Sequence, residues 1–250
     1  MANREERAFW KTRSRGYKKL QWAKNKGYLG FFIRKGKFKR TEHVLDVGTG
    51  TGIIAHAVAP HVKKVTAIDI SKPMLKQARA NAHPNESFEP GDVRGLHFKD
   101  ARFDKITARM VFHHVTHQNH KAMRECRRVL KDGGTMVLSE GVPPSRRVKD
   151  FYVKIFKLKE KRITFYKEDL VALMKAGSFR DIRVHTFISR RMSIMNWLRA
   201  SGLPEKVQQK IFRMHLDLFP AGKRDYKMKI NKTRTDCFID MKFLVLTGRK

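Results

Sequence analysis

Cysteine is nearly absent from this sequence. Two residues, Cys126 and Cys237, among 250 cannot build a disulfide framework and do not match a metal-binding spacing. The chain therefore reads as a reduced, cytoplasmic protein. Long apolar runs are missing too: none approaches the roughly 18–20 residues of a membrane-spanning helix. Residues 1–15 have no apolar stretch of the secretory kind, although their basic, acid-poor character leaves a transit-peptide reading open. There is no internal repeat and no low-complexity tail. Acidic residues are scarce, with 23 Asp and Glu against 56 Lys and Arg, for a formal net charge of +33.

What is present suffices for a fold. Hydrophobic residues make up 41% of the chain, and the length suits one large α/β domain with additions. The positive charge is uneven. Residues 1–40 carry 14 basic and 2 acidic side chains, whereas residues 41–92 carry 5 and 6. The excess points to a polyanionic partner such as nucleic acid, to an anionic membrane surface, or to a basic solvated surface.

The segment without excess charge contains Val44-Leu45-Asp46-Val47-Gly48-Thr49-Gly50-Thr51-Gly52-Ile53. Val44–Val47 reads as a short buried strand, and Ile53, Ile54, Ala57 and Val58 share one face of a following helix. Glycine between them permits positive φ and lets a ligand approach the backbone. The helix start offers free N–H groups to the same place. A dinucleotide fingerprint needs G-x-G-x-x-G, and here Ile53 stands where its third glycine should be. Asp46 would repel a pyrophosphate but would suit a cation. S-adenosylmethionine (SAM) is net positive. The run resembles the first motif of SAM-dependent methyltransferases with a Rossmann-like fold.

Val65–Asp69 reads as a second strand ending in an acid. Asp69 lies 21 residues after Gly48, near the roughly 20 expected of a carboxylate that accepts from ribose hydroxyls; a capping or turn acid is the plainer reading. Ser71 and Pro73 open a helix over Met74–Ala82, with Met74 near the adenine edge. Phe88–Val93 is a third strand entering a turn, Phe103–Arg109 a fourth, Lys121–Leu130 a helix ended by Asp132-Gly133-Gly134, and Thr135–Glu140 a fifth strand. The stretch FDKITARMVFHHV…RVLKDGGTMVLSEG resembles the small-molecule methyltransferases that include ubiquinone/menaquinone-biosynthesis enzymes. That resemblance covers residues 41–141 well and the remainder loosely.

It implies a doubly wound, mostly parallel seven-stranded α/β sheet. The cofactor would touch Asp46, Gly48, Thr49, Gly50, Gly52, Asp69, Ile70 and Met74. Asp92 would take the adenine amino group and the Val93 backbone the ring. Arg109, at the strand edge where ligands bind, meets the methionine carboxylate or an acidic substrate, or is a surface arginine. His113 and His114 are candidate bases. His113 and His117, four apart, would share a helix face, but no carboxylate or cysteine stands near in sequence, and no metal site is expected.

Tyr166–Lys175 reads as a helix and Phe179–Ile188 as the sixth strand. About fifty residues then precede the last strand, Phe238–Thr247. In them Ser193 caps one helix and Pro204 opens another, so residues of about 190–236 form a helical lid over the substrate. Residues 1–40 form a basic, aromatic extension of one or two helices, in which Tyr17 or Trp22 could join that lid. The acceptor expected is a small molecule; an RNA base is the alternative suggested by the charge.

Overall fold

Alternate burial explains the central layer. Leu45 and Val47 of the first strand enter one apolar cluster, while Val44 enters the other, and all three are fully buried. A strand buried on both faces belongs inside a sheet covered by helices on each side. The computed structural model describes residues 4–17 and 20–250, and only the backbone of residues 4, 5, 7, 15, 17, 21 and 22.

The strands are β1 (His43–Val47), β2 (Lys64–Asp69), β3 (Glu86–Pro90), β4 (Phe103–Arg109), β5 (Leu130–Val142), β6 (Arg180–Ser193), β7 (Lys229–Ile230) and β8 (Cys237–Arg249). They run β3-β2-β1-β4-β5-β8-β6, with β7 added on β8. β1 to β5 pair in parallel, and β8 is antiparallel to β5 and to β6. The expected seven-stranded path is therefore found, with the two-residue β7 as an unforeseen eighth.

The helices are α1 (Arg4–Tyr17), α2 (Lys26–Gly36), α3 (Ile53–Val58), α4 (Lys72–Arg79), α5 (Asn119–Val129), α6 (Lys149–Lys159), α7 (Lys167–Ala176), α8 (Ile194–Arg199), α9 (Glu205–Leu216) and α10 (Pro220–Asp225). Met123 and Cys126 of α5 and Leu170 and Met174 of α7 cover one sheet face. Phe32 of α2, Ile54 of α3 and Leu75 of α4 cover the other. Each such side chain contributes about 1.5–3 kcal/mol on burial. The inserted helices α8 and α9 pack with α6 in a third cluster around Ile155, Leu198 and Ile211.

Two expectations need correction. Asp132-Gly133-Gly134 does not end α5, which stops at Val129 because Leu130 already pairs with Phe103. The next ladder pair is Lys105 with Thr135, so residues 131–134 bulge, and Gly133 takes φ +73°. The sixth strand also runs five residues further than expected, held to β8 as far as Ser193. Ser193 caps α8 as expected, accepting from the Asn196 amide at 2.9 Å. Tyr17 and Trp22, proposed for the lid, lie outside the described side chains.

Candidate active site

The loop after β1 turns at three glycines with positive φ. A Cβ on Gly50 would meet nothing within 4 Å. Its missing side chain therefore faces open space, and that space is a cavity of about 270 Å³ at the carboxyl edge of the parallel strands. Gly48, Asp69, Ile70, Met74, Asp92, Val93 and Arg109 line it as well. A smaller adjoining cavity of about 20 Å³ is lined by Asp46, Gly48, Thr49 and Arg109. Gly52 lines neither; its bare Cα leaves room for His56.

Asp69 shapes the loop. Its Oδ2 accepts from the Gly50 amide and its Oδ1 from the Ser71 amide, both at 2.8 Å. Burial pushes this carboxyl up to about 6, against those hydrogen bonds. Each oxygen keeps a lone pair for a hydroxyl donor. Asp46 is equally buried, and burial raises it to about 6 against the Thr107 hydroxyl, which donates to Oδ1 at 2.6 Å. Its Oδ2 is buried without a hydrogen bond among the described residues. An under-satisfied buried carboxylate beside the Arg109 guanidinium suits a ligand end carrying both an ammonium and a carboxylate.

Asp92 lines the cavity and is also engaged within the protein. Arg94 grips it through Nε and Nη2 at 3.0 and 2.8 Å, and also reaches Glu6 of α1 at 3.0 Å. Burial works against its charge, but the Arg94 contacts outweigh that and hold the carboxyl below its usual range. Asp92 therefore meets the cavity with much of its accepting capacity engaged.

The histidines divide. His114 lines the cavity, where Trp10 meets it edge-on with ring centroids 4.6 Å apart and Phe9 lies beside it. His113 lies behind it, bonded through Nδ1 to Glu140 Oε2 at 2.6 Å. Burial pushes Glu140 up to about 7 and His113 well down, so the pair leans toward its uncharged form. Burial also lowers His114 well below the ordinary imidazole range. His113 and His117 share no helix, because residues 112–114 form a single 3₁₀ turn ending at Val115.

Sequence reading missed a buried charged cluster beside these rings. Glu160, after α6, receives Arg13 of α1 at 2.5 Å and Lys159 at 2.6 Å, with Arg162 at 3.6 Å. His113, His114 and Glu160 bring ligand atoms within 4.8 Å of one another, but three cations around the carboxylate oppose a metal ion there. Nothing in the local pattern joins Arg13 to Glu160, which lie 147 residues apart. Phe9 and Trp10 line the cavity together with Glu6.

A seven-strand doubly wound path, an open glycine turn and an acid at the end of the second strand define the SAM-dependent methyltransferase class. A family model described as "Methyltransferase domain" matches residues 45–138. The demethylmenaquinone methyltransferase of Thermotoga maritima is 32% identical over 179 residues, covering 70% of this chain and 72% of that protein. A ubiquinone/menaquinone biosynthesis C-methyltransferase of Rubrivivax gelatinosus is 30% identical over 121 residues, 48% of each chain. The solved YcgJ structure from Bacillus subtilis superposes with TM-score 0.79 at 25% identity, over 89% of this chain and 97% of that one. The chain belongs to the SAM-dependent small-molecule methyltransferases. It is an enzyme whose cofactor is SAM, and the similarity gives no support to the RNA alternative.

Proposed function

We propose that the chain methylates a small, planar acceptor bearing an acidic proton, held between the cofactor site and the Phe9–Trp10–His114 corner. That corner, aromatic on one side and carrying a neutral imidazole on the other, is the observation that supports the reading. The relatives named for quinone biosynthesis agree with a ring-shaped acceptor.

When bound, the cofactor supplies an electrophilic methyl on a sulfonium that is already a good leaving group. The protein then has to align the acceptor and exclude water. Asp69 would accept from the ribose hydroxyls, with Ile70, Met74 and Val93 flanking the base. Asp92 would take the adenine amino group with its remaining capacity. Asp46, Gly48, Thr49 and Arg109 would hold the amino-acid end, and Gly50 leaves the space. Gly52 would act through the turn rather than by contact. His114 would accept the acceptor's proton, and His113, tied to Glu140, would fix the turn that carries it.

Residues 41–250 would form the cofactor-binding unit, with residues 1–40 as a roof and residues of about 190–236 as the substrate lid. The +33 charge belongs to a solvated or anionic-membrane-facing surface in a cytoplasmic protein, and turnover needs no polyanion. Among the described residues no helix is long and apolar enough to cross a membrane.

The experiment incubates protein and SAM with separate metabolite and RNA pools and follows both by mass spectrometry. A metabolite heavier by one methylene supports this reading; methyl entering only RNA overturns it.

A further inference from the structure

Behind the acceptor corner the charges do not balance. Arg13, Lys159 and Arg162 crowd one carboxylate, Glu160, and all four side chains are at most 10% exposed. When every member is ionised, two positive charges have no counterion within the group. Glu140, the next carboxyl, does not supply one, because it is bonded to His113 and burial pushes it up to about 7. Arg162 lies over Phe156 at 4.2 Å and Lys159 over Trp197 at 5.0 Å, but a ring face is not a counterion. Nη2 of Arg162 is buried with no hydrogen bond among the described residues. Burial, with Arg13 and Arg162 adding to it, pushes Lys159 down to about 7 against the pull of Glu160. A buried surplus of charge is costly unless an anion completes it.

The surplus borders the cavity. Glu160 and His114 bring polar atoms within 4.8 Å of each other, and the Arg13 guanidinium lies 5.5 Å from the Phe9 ring centroid and 5.9 Å from that of Trp10. His114, Phe9 and Trp10 all line the cavity. One residue on from Glu160, Lys161 lines it too and is itself exposed. The two arginines on the same wall have other work. Arg94 is held by Asp92 and Glu6, and Arg109 stands by Asp46 at the end assigned to the cofactor's amino acid. Lys161 forms no ion pair among the described residues.

We propose that the methyl acceptor carries a carboxylate and that Lys161 receives it, with the surplus of Arg13, Lys159 and Arg162 adding its field through the wall. The inference rests on the small-molecule methyltransferase reading and adds a substrate class, a ring acid. A carboxylate conjugated to a ring lies in the ring plane, which suits a corner walled by Phe9, Trp10 and His114. Buried charges one side-chain layer away are screened far less than charges in water.

The test saturates the full chain with S-adenosylhomocysteine and titrates it by calorimetry with benzoate and with benzamide, which differ in charge but hardly in shape. Benzoate should bind about tenfold tighter or more, the advantage of a charge-assisted hydrogen bond in a shielded site. Lys161→Met should remove most of that preference, and Lys161→Arg should keep it. Arg162→Met, which leaves the cavity wall untouched, should weaken benzoate and spare benzamide. Each variant is first shown to bind S-adenosylhomocysteine. Equal affinity for the two ligands overturns the proposal, as does binding of neither, or a preference that survives Lys161→Met or is unaltered in Arg162→Met. Failure of the parent chain to bind S-adenosylhomocysteine would instead strike the methyltransferase reading.

Discussion

Asp69 carries two duties that its place in the sequence does not separate. It fixes the glycine loop through the Gly50 and Ser71 amides, and it lines the cavity proposed for the cofactor. Asp69→Ala should weaken S-adenosylhomocysteine binding by about 2–4 kcal/mol, measured calorimetrically, because buried donors lose their partner. The raised carboxyls add a pH dependence whose sign is fixed. The cofactor's donors need carboxylates, so protonation competes with binding as pH falls through about 6. At pH 5 each group should cost about tenfold in affinity relative to pH 7, and Asp69→Asn should remove its share. For folding the sign is opposite. A carboxyl raised from 3.8 to about 6 in the folded state lowers stability progressively as pH climbs through that window, and by a constant amount above it. Asp46, Gly48, Gly50 and Asp69 were legible because neighbours in sequence define their spacing. The Arg94 grip on Asp92 was not, since a Gly-Asp turn says nothing about which cation will fold over it.

Among elements, the strand–loop–helix unit was the most legible, because alternation of apolar residues and glycine is a local signal. Gly50→Val should abolish S-adenosylhomocysteine binding in a protein that still folds. The added side chain has open space, strained only by φ +57°, and that space is the one proposed for the ligand. Unchanged affinity in calorimetry would remove the loop from the site. Ser71→Ala takes away the hydroxyl that accepts from the Met74 amide at 3.4 Å and should cost about 1 kcal/mol in denaturant unfolding. The end of α5 was misread because the pairing of Leu130 with Phe103, a contact between distant residues, overrides the local helix-stop signal of Asp132-Gly133-Gly134. The long β6 has the same origin, as its last residues are extended by their partners on β8.

At the scale of the molecule, the doubly wound order was implied by the resemblance that residues 41–141 carry, whereas the meeting of α1 with the end of α6 was not legible. The charge gives a whole-surface prediction. If about six to ten phosphates are engaged, RNA affinity should fall about 10³–10⁵-fold between roughly 50 and 200 mM salt, equally for structured and scrambled RNA. A structured RNA that stays preferred at the higher salt and gains methyl groups would contradict this. The roof over the cavity bears on tempo. α1 places Phe9 and Trp10 on the site and is pinned by Glu6 to Arg94 and by Arg13 to Glu160. If α1 roofs the proposed cofactor site, these two ion pairs would slow the escape of spent cofactor. Arg94→Ala should quicken S-adenosylhomocysteine escape in stopped-flow measurements. The cadence of turnover would then depend on the first helix of the chain as well as on the sheet beneath it.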